Sequence, residues 1–83
     1  MAKIEIYTSE NCPYCWRAKS LLSQKKASFT EIRVDQDKNK RQEMIERSHG
    51  QRSTPQIFIN DKHIGGYQEL WNLEQQGELD KQL

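Results

Sequence analysis

Both cysteines of this 83-residue chain stand in one short motif, Cys12-Pro13-Tyr14-Cys15, between a strand pattern and a helical pattern. A helix that begins at this motif holds Cys12 near the positive end of its dipole and near unpaired N–H groups, which lowers the pKa of the thiol. Cys15 follows on the same helical face, within reach of a disulfide. The motif therefore predicts thiol–disulfide exchange, with Cys12 as the attacking thiol and Cys15 as the resolving thiol.

A metal site and inert buried cysteines are the structural alternatives to this redox role. Structural zinc usually takes four protein ligands with short paired spacings. Only His49 and His63 remain as soft ligands, and their spacing matches no zinc pattern. We therefore expect no metal at the motif. A purely packing role stays open for Cys15, because it lies on the apolar stripe of the predicted helix.

Size, charge and hydropathy exclude several classes of protein. A formal net charge of +1 gives no reason to expect nucleic acid or an anionic membrane as a partner. No apolar run approaches the roughly 20 residues of a transmembrane helix, and no secretory signal pattern precedes the first strand. One close cysteine pair is typical of a reducing compartment rather than of a disulfide scaffold. We expect one domain over residues 1–83, acting as a cytoplasmic monomer.

The apolar periodicity predicts elements in the order β-α-β-α-β-β-α. Three predicted strands cover residues 3–8, 29–34 and 56–60. A fourth begins at His63 after a tight turn over 60–62. The three predicted helices run from Pro13 to about Lys25, from the N-cap Asp37 to near Gly50, and from Gly66 to Gly77. The first two strands form a right-handed parallel unit, and the late hairpin adds antiparallel strands. The expected fold is α/β, with a four-stranded mixed sheet and helices on both faces.

Four features in this order resemble the glutaredoxins of the thioredoxin superfamily. They are the cysteine motif after the first strand, Thr54-Pro55 before the third, Gly65-Gly66 before the last helix, and the element order itself. The resemblance covers essentially the whole chain and implies a thioredoxin-like fold. It also implies a glutathione-dependent oxidoreductase that reduces protein disulfides and protein–glutathione mixed disulfides. Glutathione is then the reductant, no cofactor is tightly bound, and ribonucleotide reductase is an expected partner.

The resemblance implies a glutathione site beside Cys12. A cis bond before Pro55 is expected to turn the backbone of Thr54 toward Cys12, where it pairs with the backbone of bound glutathione like a short added strand. The ring of Tyr14 is expected to line the same groove. A simple proline at the start of a strand is the structural alternative for Pro55.

The start of the last helix is the second part of this implied site. Gly66 lets the backbone pass close to a ligand, and the N–H groups of Tyr67 and Gln68 then face the γ-glutamyl carboxylate. Many relatives have an aspartate after Gly-Gly-x for the γ-glutamyl ammonium, whereas this chain has Gln68 followed by Glu69. We expect Glu69 to supply the missing negative charge.

A second departure from the family lies just before the motif. Relatives often place a lysine three residues ahead of the first cysteine, to meet the glycyl carboxylate, and this chain has Ser9 there. Arg52 is the best remaining cation for that carboxylate. Because an exposed ion pair is worth only about 0.2–1 kcal/mol, we expect glutathione to be used but held more weakly.

Two other functions stay open. A redoxin reduced by thioredoxin reductase would keep the chemistry and change the electron source. The two departures at the glutathione site keep this alternative open, whereas Gly65-Gly66 and Tyr14 favour glutathione. A glutathione-assisted carrier of a [2Fe–2S] cluster would use Cys12 from each of two chains. Pro13 argues against the carrier, because cluster-binding members of the family often have a smaller residue at that position.

Overall fold

The computed structural model describes residues 2–83, so Met1, the first residue of the predicted domain, lies outside the described residues. The strands are β1 (Ile4–Thr8), β2 (Thr30–Arg33), β3 (Gln56–Ile59) and β4 (Lys62–Gly65). The helices are α1 (Pro13–Gln24), α2 (Lys38–Arg47), α3 (Tyr67–Gln75) and α4 (Leu79–Gln82). The element order is the predicted one, with one short helix added at the end.

The strands form one mixed sheet in the order β2-β1-β3-β4. β1 runs parallel to β2 and antiparallel to β3, while β3 and β4 form an antiparallel hairpin. The register pairs Tyr7 of β1 with Gln56 of β3. The residues that follow β1 therefore lie beside the residues that precede β3, at the edge of the sheet where α1 begins.

Two apolar clusters lie on opposite faces of the sheet. Ile4 and Ile6 of β1 pack with residues of α1, α3 and α4, whereas Tyr7 and Phe58 pack with Met44 of α2. This division follows from the alternation of side chains along a strand. The predicted four-stranded mixed sheet with helices on both faces is thus confirmed.

Helix α1 begins directly at the cysteine motif. Cys12 is its N-cap residue, and Pro13 occupies the first turn, where a missing N–H leaves no hydrogen bond unmade. The buried face is the predicted stripe of Cys15, Ala18, Leu21 and Leu22. The helix therefore carries one cysteine at its start and the other on its buried face.

The hairpin between β3 and β4 turns at Asn60 and Asp61, whose φ angles are 52° and 66°. A two-residue turn of this kind needs positive φ at both positions, which Asn and Asp tolerate better than most residues. The predicted turn is confirmed, although β4 begins at Lys62, one residue earlier than expected.

Two details of the helices differ from the sequence prediction. Helix α2 ends at Arg47, because His49 and Gly50 adopt positive φ angles through which a helix does not continue. Helix α4 was not predicted, since four residues are too few for a periodic pattern, and fully buried Leu79 anchors it. Within residues 2–83, no helix is long and apolar enough to cross a membrane.

Candidate redox site

Cys12 and Cys15 form a disulfide in this structure, with their Cα atoms 5.2 Å apart. Cys12 is partly exposed at the N-cap of α1, whereas only 2% of Cys15 is exposed. An incoming sulfur can therefore reach Cys12 directly, while Cys15 is shielded by the core. The predicted order of attack, Cys12 first and Cys15 second, would make use of this difference in exposure.

Two donors point at the sulfur of Cys12. The backbone N–H of Cys15 donates to Cys12 Sγ at 3.1 Å, and the Thr54 hydroxyl donates to it at 3.6 Å. The peptide bond between Thr54 and Pro55 is cis, as predicted, and the Thr54 carbonyl oxygen also lies 3.6 Å from Cys12 Sγ. Donors in these positions favour a charged sulfur over a neutral one. The surroundings of Cys12 thus suit a thiolate.

A cavity of about 300 Å³ lies on one side of the motif. It is lined by Tyr14, Ser53, Thr54, Pro55, Gly66, Tyr67, Gln68 and Glu69. This list contains every residue predicted to contact glutathione except Arg52. Arg52 is exposed in the segment before β3 and does not line the cavity, so the structure does not bring its charge together with the other predicted residues.

Stacked aromatic rings form one wall of this cavity. The rings of Tyr14 and Tyr67 are 6.0 Å apart between centroids and nearly parallel, and Tyr67 stacks in turn on Trp71 at 6.4 Å. The guanidinium of Arg17 lies over the ring of Tyr14 at 5.3 Å. Tyr14 is 56% exposed, so its ring is available to a ligand.

The first turn of α3 closes the far end of the same cavity. Gly66 is the N-cap residue and has no side chain with which to cap the first N–H groups of the helix. The carboxylate of Glu69 reaches back and accepts the Gly66 N–H at 2.7 Å. Gln68 is exposed and donates to Asn72 at 3.0 Å. The predicted negative charge of Glu69 is therefore present, but one of its oxygens is already engaged by the helix start.

A second cavity, of about 530 Å³, lies on the other side of the motif. Its lining residues are Ser9, Glu10, Asn11, Cys12, Pro13, Cys15, Trp16, Lys19, Glu31 and Arg33. The charges here are paired: Lys19 lies 2.9 Å from Glu31, and Arg33 lies 2.7 Å from Asp35. The hydroxyl of Thr8 and the ammonium of Lys19 both lower the pKa of Glu31. The cavity is thus polar, with its ionic groups largely neutralised in pairs.

Sequence reasoning missed a contact between two hydroxyl groups at the site. Ser9 Oγ lies 2.8 Å from Thr54 Oγ1. The register of β1 and β3 explains this contact, because extending the Tyr7–Gln56 pair by two residues on each strand brings Ser9 opposite Thr54. In the sequence, Ser9 drew notice only because relatives often have a lysine at its position. Thr54 was expected to act only through its backbone. No local signal connects residues that are 45 positions apart.

His63 contacts other residues of the β3–β4 hairpin rather than the cysteines. The Nε2 atom of His63 lies 2.7 Å from Gln56 Oε1, and its ring packs against Phe58 with centroids 5.0 Å apart. Between residues 2 and 83, no group of three or more His, Cys, Asp or Glu side chains is placed to hold a metal ion. His63 therefore serves the packing of the hairpin.

Comparison with known proteins gives consistent matches. A family model described as Glutaredoxin matches residues 4–64. Glutaredoxin 3 of Escherichia coli K12 is 54% identical over 83 residues, which are 100% of this chain and 99% of that protein. The solution structure of a glutaredoxin from Brucella melitensis is 47% identical with a TM-score of 0.85, covering 98% of this chain and 87% of that one. The crystal structure of a buckwheat glutaredoxin–glutathione complex is 29% identical with a TM-score of 0.89, and the match covers 99% of this chain and 76% of that one.

Proposed function

The chain belongs to the glutaredoxin family of thiol–disulfide oxidoreductases, and we propose that it reduces protein disulfides and protein–glutathione mixed disulfides with glutathione as the reductant. One observation carries this proposal: the cavity lined by Tyr14, Thr54, Gly66 and Tyr67 adjoins the sulfur of Cys12 through Thr54. The cavity offers both exposed backbone and a helix start, which are the groups that a small acidic peptide needs.

Glutathione would lie along this cavity with its sulfur at Cys12. The backbone of Thr54 would pair with the backbone of the cysteinyl unit, in the manner of an added strand. The uncapped N–H groups at the start of α3 would receive the γ-glutamyl carboxylate, and Glu69 would meet the adjacent ammonium through its free oxygen. Arg52 would swing from its exposed position toward the glycyl carboxylate. The glutathione complex of the buckwheat relative supports this proposal.

With a glutathionylated protein, the reaction needs only one cysteine. The Cys12 thiolate attacks the glutathione sulfur of the mixed disulfide, a Cys12–glutathione disulfide forms, and the protein leaves as a thiolate. A second glutathione thiolate then attacks the glutathione sulfur of this intermediate. Oxidised glutathione forms, and the Cys12 thiolate is released for the next cycle.

With a protein disulfide, the reaction uses both cysteines. Cys12 attacks one sulfur of the substrate, and the Cys15 thiolate then attacks Cys12, which releases the reduced protein and leaves the Cys12–Cys15 disulfide. Two glutathione molecules reduce this disulfide and leave as oxidised glutathione. Burial of Cys15 restricts it to its neighbour Cys12, and the disulfide of this structure corresponds to the oxidised state of the route.

The proposed setting is the cytoplasm, where the glutathione pool is kept reduced. We propose that the protein acts as a monomer on glutathionylated proteins and on disulfides such as that of ribonucleotide reductase. The paired charges near Cys12 and the net charge of +1 favour short-lived encounters with varied proteins over tight binding to one charged partner.

A second electron source is favoured by the lining of the glutathione cavity. In the described part of the chain, the lining residues include the acidic Glu69 but no lysine or arginine. No cation among these lining residues is therefore in place to meet the carboxylates of glutathione. A redoxin that accepts electrons from thioredoxin reductase would not need one, so this function is the second candidate.

The test is the reduction of a glutathionylated peptide, coupled to glutathione reductase, for wild type, Cys12→Ser and Cys15→Ser. Cys12→Ser is expected to be inactive, while Cys15→Ser keeps activity, because the one-cysteine route does not use Cys15. Substantial turnover by Cys12→Ser would refute the assignment of the attacking thiol. A parallel assay with thioredoxin reductase decides the electron source, since activity with that enzyme alone supports the second candidate.

A further inference from the structure

A chain of two hydroxyl groups ends at the reacting sulfur. Thr54 Oγ1 lies 3.6 Å from Cys12 Sγ, and Ser9 Oγ lies 2.8 Å from Thr54 Oγ1. Both hydroxyls are partly buried, and both belong to side chains that the sheet register sets opposite each other. We propose that the Thr54 hydroxyl stabilises the Cys12 thiolate and that Ser9 positions the Thr54 hydroxyl for this purpose.

The direction of the two hydrogen bonds follows from proton counting. Each hydroxyl has one proton to donate and can accept more than one hydrogen bond. When Cys12 is a thiolate, its negative charge is the strongest nearby acceptor, so the proton of Thr54 points to the sulfur. Thr54 then has only lone pairs left for Ser9, and Ser9 must be the donor between them. The Ser9 proton in turn makes Thr54 a stronger donor, because hydrogen bonds in a chain polarise one another.

The cationic side chains around Cys12 are paired with carboxylates, so the Thr54 hydroxyl can contribute to stabilising the thiolate. The second cavity presents Glu10 from the loop after β1, Lys19 from α1, and Glu31 and Arg33 from β2. On the other side stand Tyr14, Tyr67 and Glu69. Lys19 and Arg33 are paired with carboxylates, as described above. Apart from the Cys15 N–H, the Thr54 hydroxyl is the donor that directly contacts the sulfur in the described part of the chain.

The chemical step affected is the ionisation of Cys12, in which the thiol loses a proton to solvent and becomes a thiolate. A donor that binds the charged form more strongly than the neutral form lowers the pKa of the thiol. The same donor stabilises Cys12 when it leaves as a thiolate from its disulfide with glutathione. Thr54 therefore acts in both halves of the exchange reaction. The inference rests on Cys12 as the attacking thiol and not on the identity of the reductant.

The test is the pH dependence of the rate at which iodoacetamide alkylates Cys12 in the reduced protein, with mass spectrometry to identify the modified residue. Thr54→Val keeps the shape of the side chain and removes the hydroxyl, and it is expected to raise the pKa of Cys12 by about one unit. Ser9→Ala is expected to raise it by about half a unit, because it removes only the polarising partner. Thr54→Ser keeps a hydroxyl and is expected to show the wild-type pKa of Cys12, which is the midpoint of the alkylation rate against pH.

The double variant Ser9→Ala/Thr54→Val separates positioning from an independent effect. If Ser9 acts through Thr54, the pKa of Cys12 in the double variant equals that of Thr54→Val alone. Thr30→Val makes the same chemical change at an exposed position of β2 and is expected to leave the midpoint unchanged.

Three outcomes would overturn the proposal. A wild-type midpoint in folded Thr54→Val, confirmed as folded by circular dichroism, would remove the role of the hydroxyl. A midpoint in Thr54→Ser as high as in Thr54→Val would assign the effect to packing. A shift from Ser9→Ala that persists in the Thr54→Val background would show that Ser9 acts on its own. Should Thr54→Val fail to fold, an unchanged midpoint in Ser9→Ala would refute the positioning role, and the half-unit rise would support it. Alkylation needs no glutathione, so these results stand apart from the turnover assay above.

Discussion

Arg47 of α2 donates a hydrogen bond to the hydroxyl of Tyr7 in β1 at 2.8 Å. The Tyr7 hydroxyl donates in turn to the carboxylate of Glu43, and Arg47 also donates to Glu5 at 3.0 Å. The guanidinium lies 4.1 Å from the centroid of the Phe58 ring. These contacts attach α2 to the face of the sheet opposite α1. Burial, reinforced by the hydrogen bond to Glu43, raises the pKa of Tyr7 to about 12, so the phenol stays a donor at neutral pH.

Tyr7→Phe is expected to lower the free energy of unfolding by about 1–2 kcal/mol, because two partly buried charged groups lose a shared partner. Urea denaturation at neutral pH measures this loss. Tyr14→Phe is the matched control, since Tyr14 is 56% exposed and its hydroxyl can bond to water. Equal stability of the wild type and Tyr7→Phe would show that the network contributes nothing to the fold.

The stability of the protein is expected to decrease as the pH falls below neutrality, because of His63. Burial is the main cause that lowers the pKa of His63 from its usual 6.5, followed by repulsion from His49. The unfolded chain therefore binds a proton more readily than the folded one. This contribution to stability is present above pH 6.5 and is lost as the pH falls through the lower pKa of the folded state.

The measurement is the midpoint of urea unfolding across about pH 5 to about pH 8, a range in which histidine is the main group to titrate. His63→Gln is expected to remove most of the slope, because glutamine stays neutral. His49→Asn removes only the smaller cause, the repulsion from His49, and is expected to keep most of the slope, since asparagine tolerates the positive φ of 59° at this exposed position. A slope that is unchanged in His63→Gln would assign the pH dependence to another group.

Substitutions at Gly65 and Gly50 can separate the effect of backbone strain from the effect of crowding at the cavity proposed to bind glutathione. Both have positive φ, of 122° and 98°. A Cβ atom on Gly65 would lie 2.7 Å from Glu69 Oε1, whereas a Cβ atom on Gly50 meets nothing within 4 Å. Each change to alanine is expected to cost about 1–3 kcal/mol of stability through strain. Only Gly65→Ala also displaces the carboxylate that accepts the Gly66 N–H.

Gly65→Ala is therefore expected to raise the KM for glutathione about 2- to 10-fold. This change corresponds to the free energy of roughly one hydrogen bond at the start of α3. Steady-state kinetics with varied glutathione measure the KM. Gly50→Ala is expected to leave the KM unchanged, because Gly50 does not line the cavity. A similar rise in both variants would mean that general destabilisation, rather than the position of Glu69, controls binding.

The fluorescence of Trp16 is expected to report the redox state. Trp16 directly follows Cys15, is 68% exposed, and lines the second cavity together with Cys12. Because a disulfide in contact with an indole quenches its emission, reduction of the protein is expected to increase the emission. Trp71→Phe is expected to keep this response, and Trp16→Phe is expected to lose it. Identical spectra of the reduced and oxidised wild type would argue against close contact of Trp16 with the disulfide.

Most of the fold could be predicted because its elements are specified by neighbouring residues. The alternation in β1, the stripe of α1 and the cap at Asp37 are local patterns, and the carboxylate of Asp37 indeed accepts the N–H groups of Asn39 and Lys40. Helix α4 escaped prediction, because a single turn held by Leu79 depends on packing against a core that only the folded chain provides.

In the candidate site, too, local sequence patterns predicted one part, and only the folded chain brings the other part together. The sequence by itself determined the redox motif, because two cysteines at a spacing of three on a helix start are necessarily neighbours, one at the N-cap and one on the buried stripe. Through the resemblance to a known family it also indicated all the residues that line the cavity beside Thr54 except Ser53, together with Arg52, which does not line it. What it did not contain were the actual partners of the polar side chains.

Only the tertiary structure decided those partners. The antiparallel pairing of β1 with β3 brings the hydroxyl of Ser9 against that of Thr54, and the same packing leaves Arg52 outside the cavity. The first turn of α3 directs Glu69 back to the Gly66 N–H. The physical reason is that a side-chain hydrogen bond depends on positions within a few tenths of an ångström, and strand register and helix docking, rather than the local periodicity of the chain, set those positions.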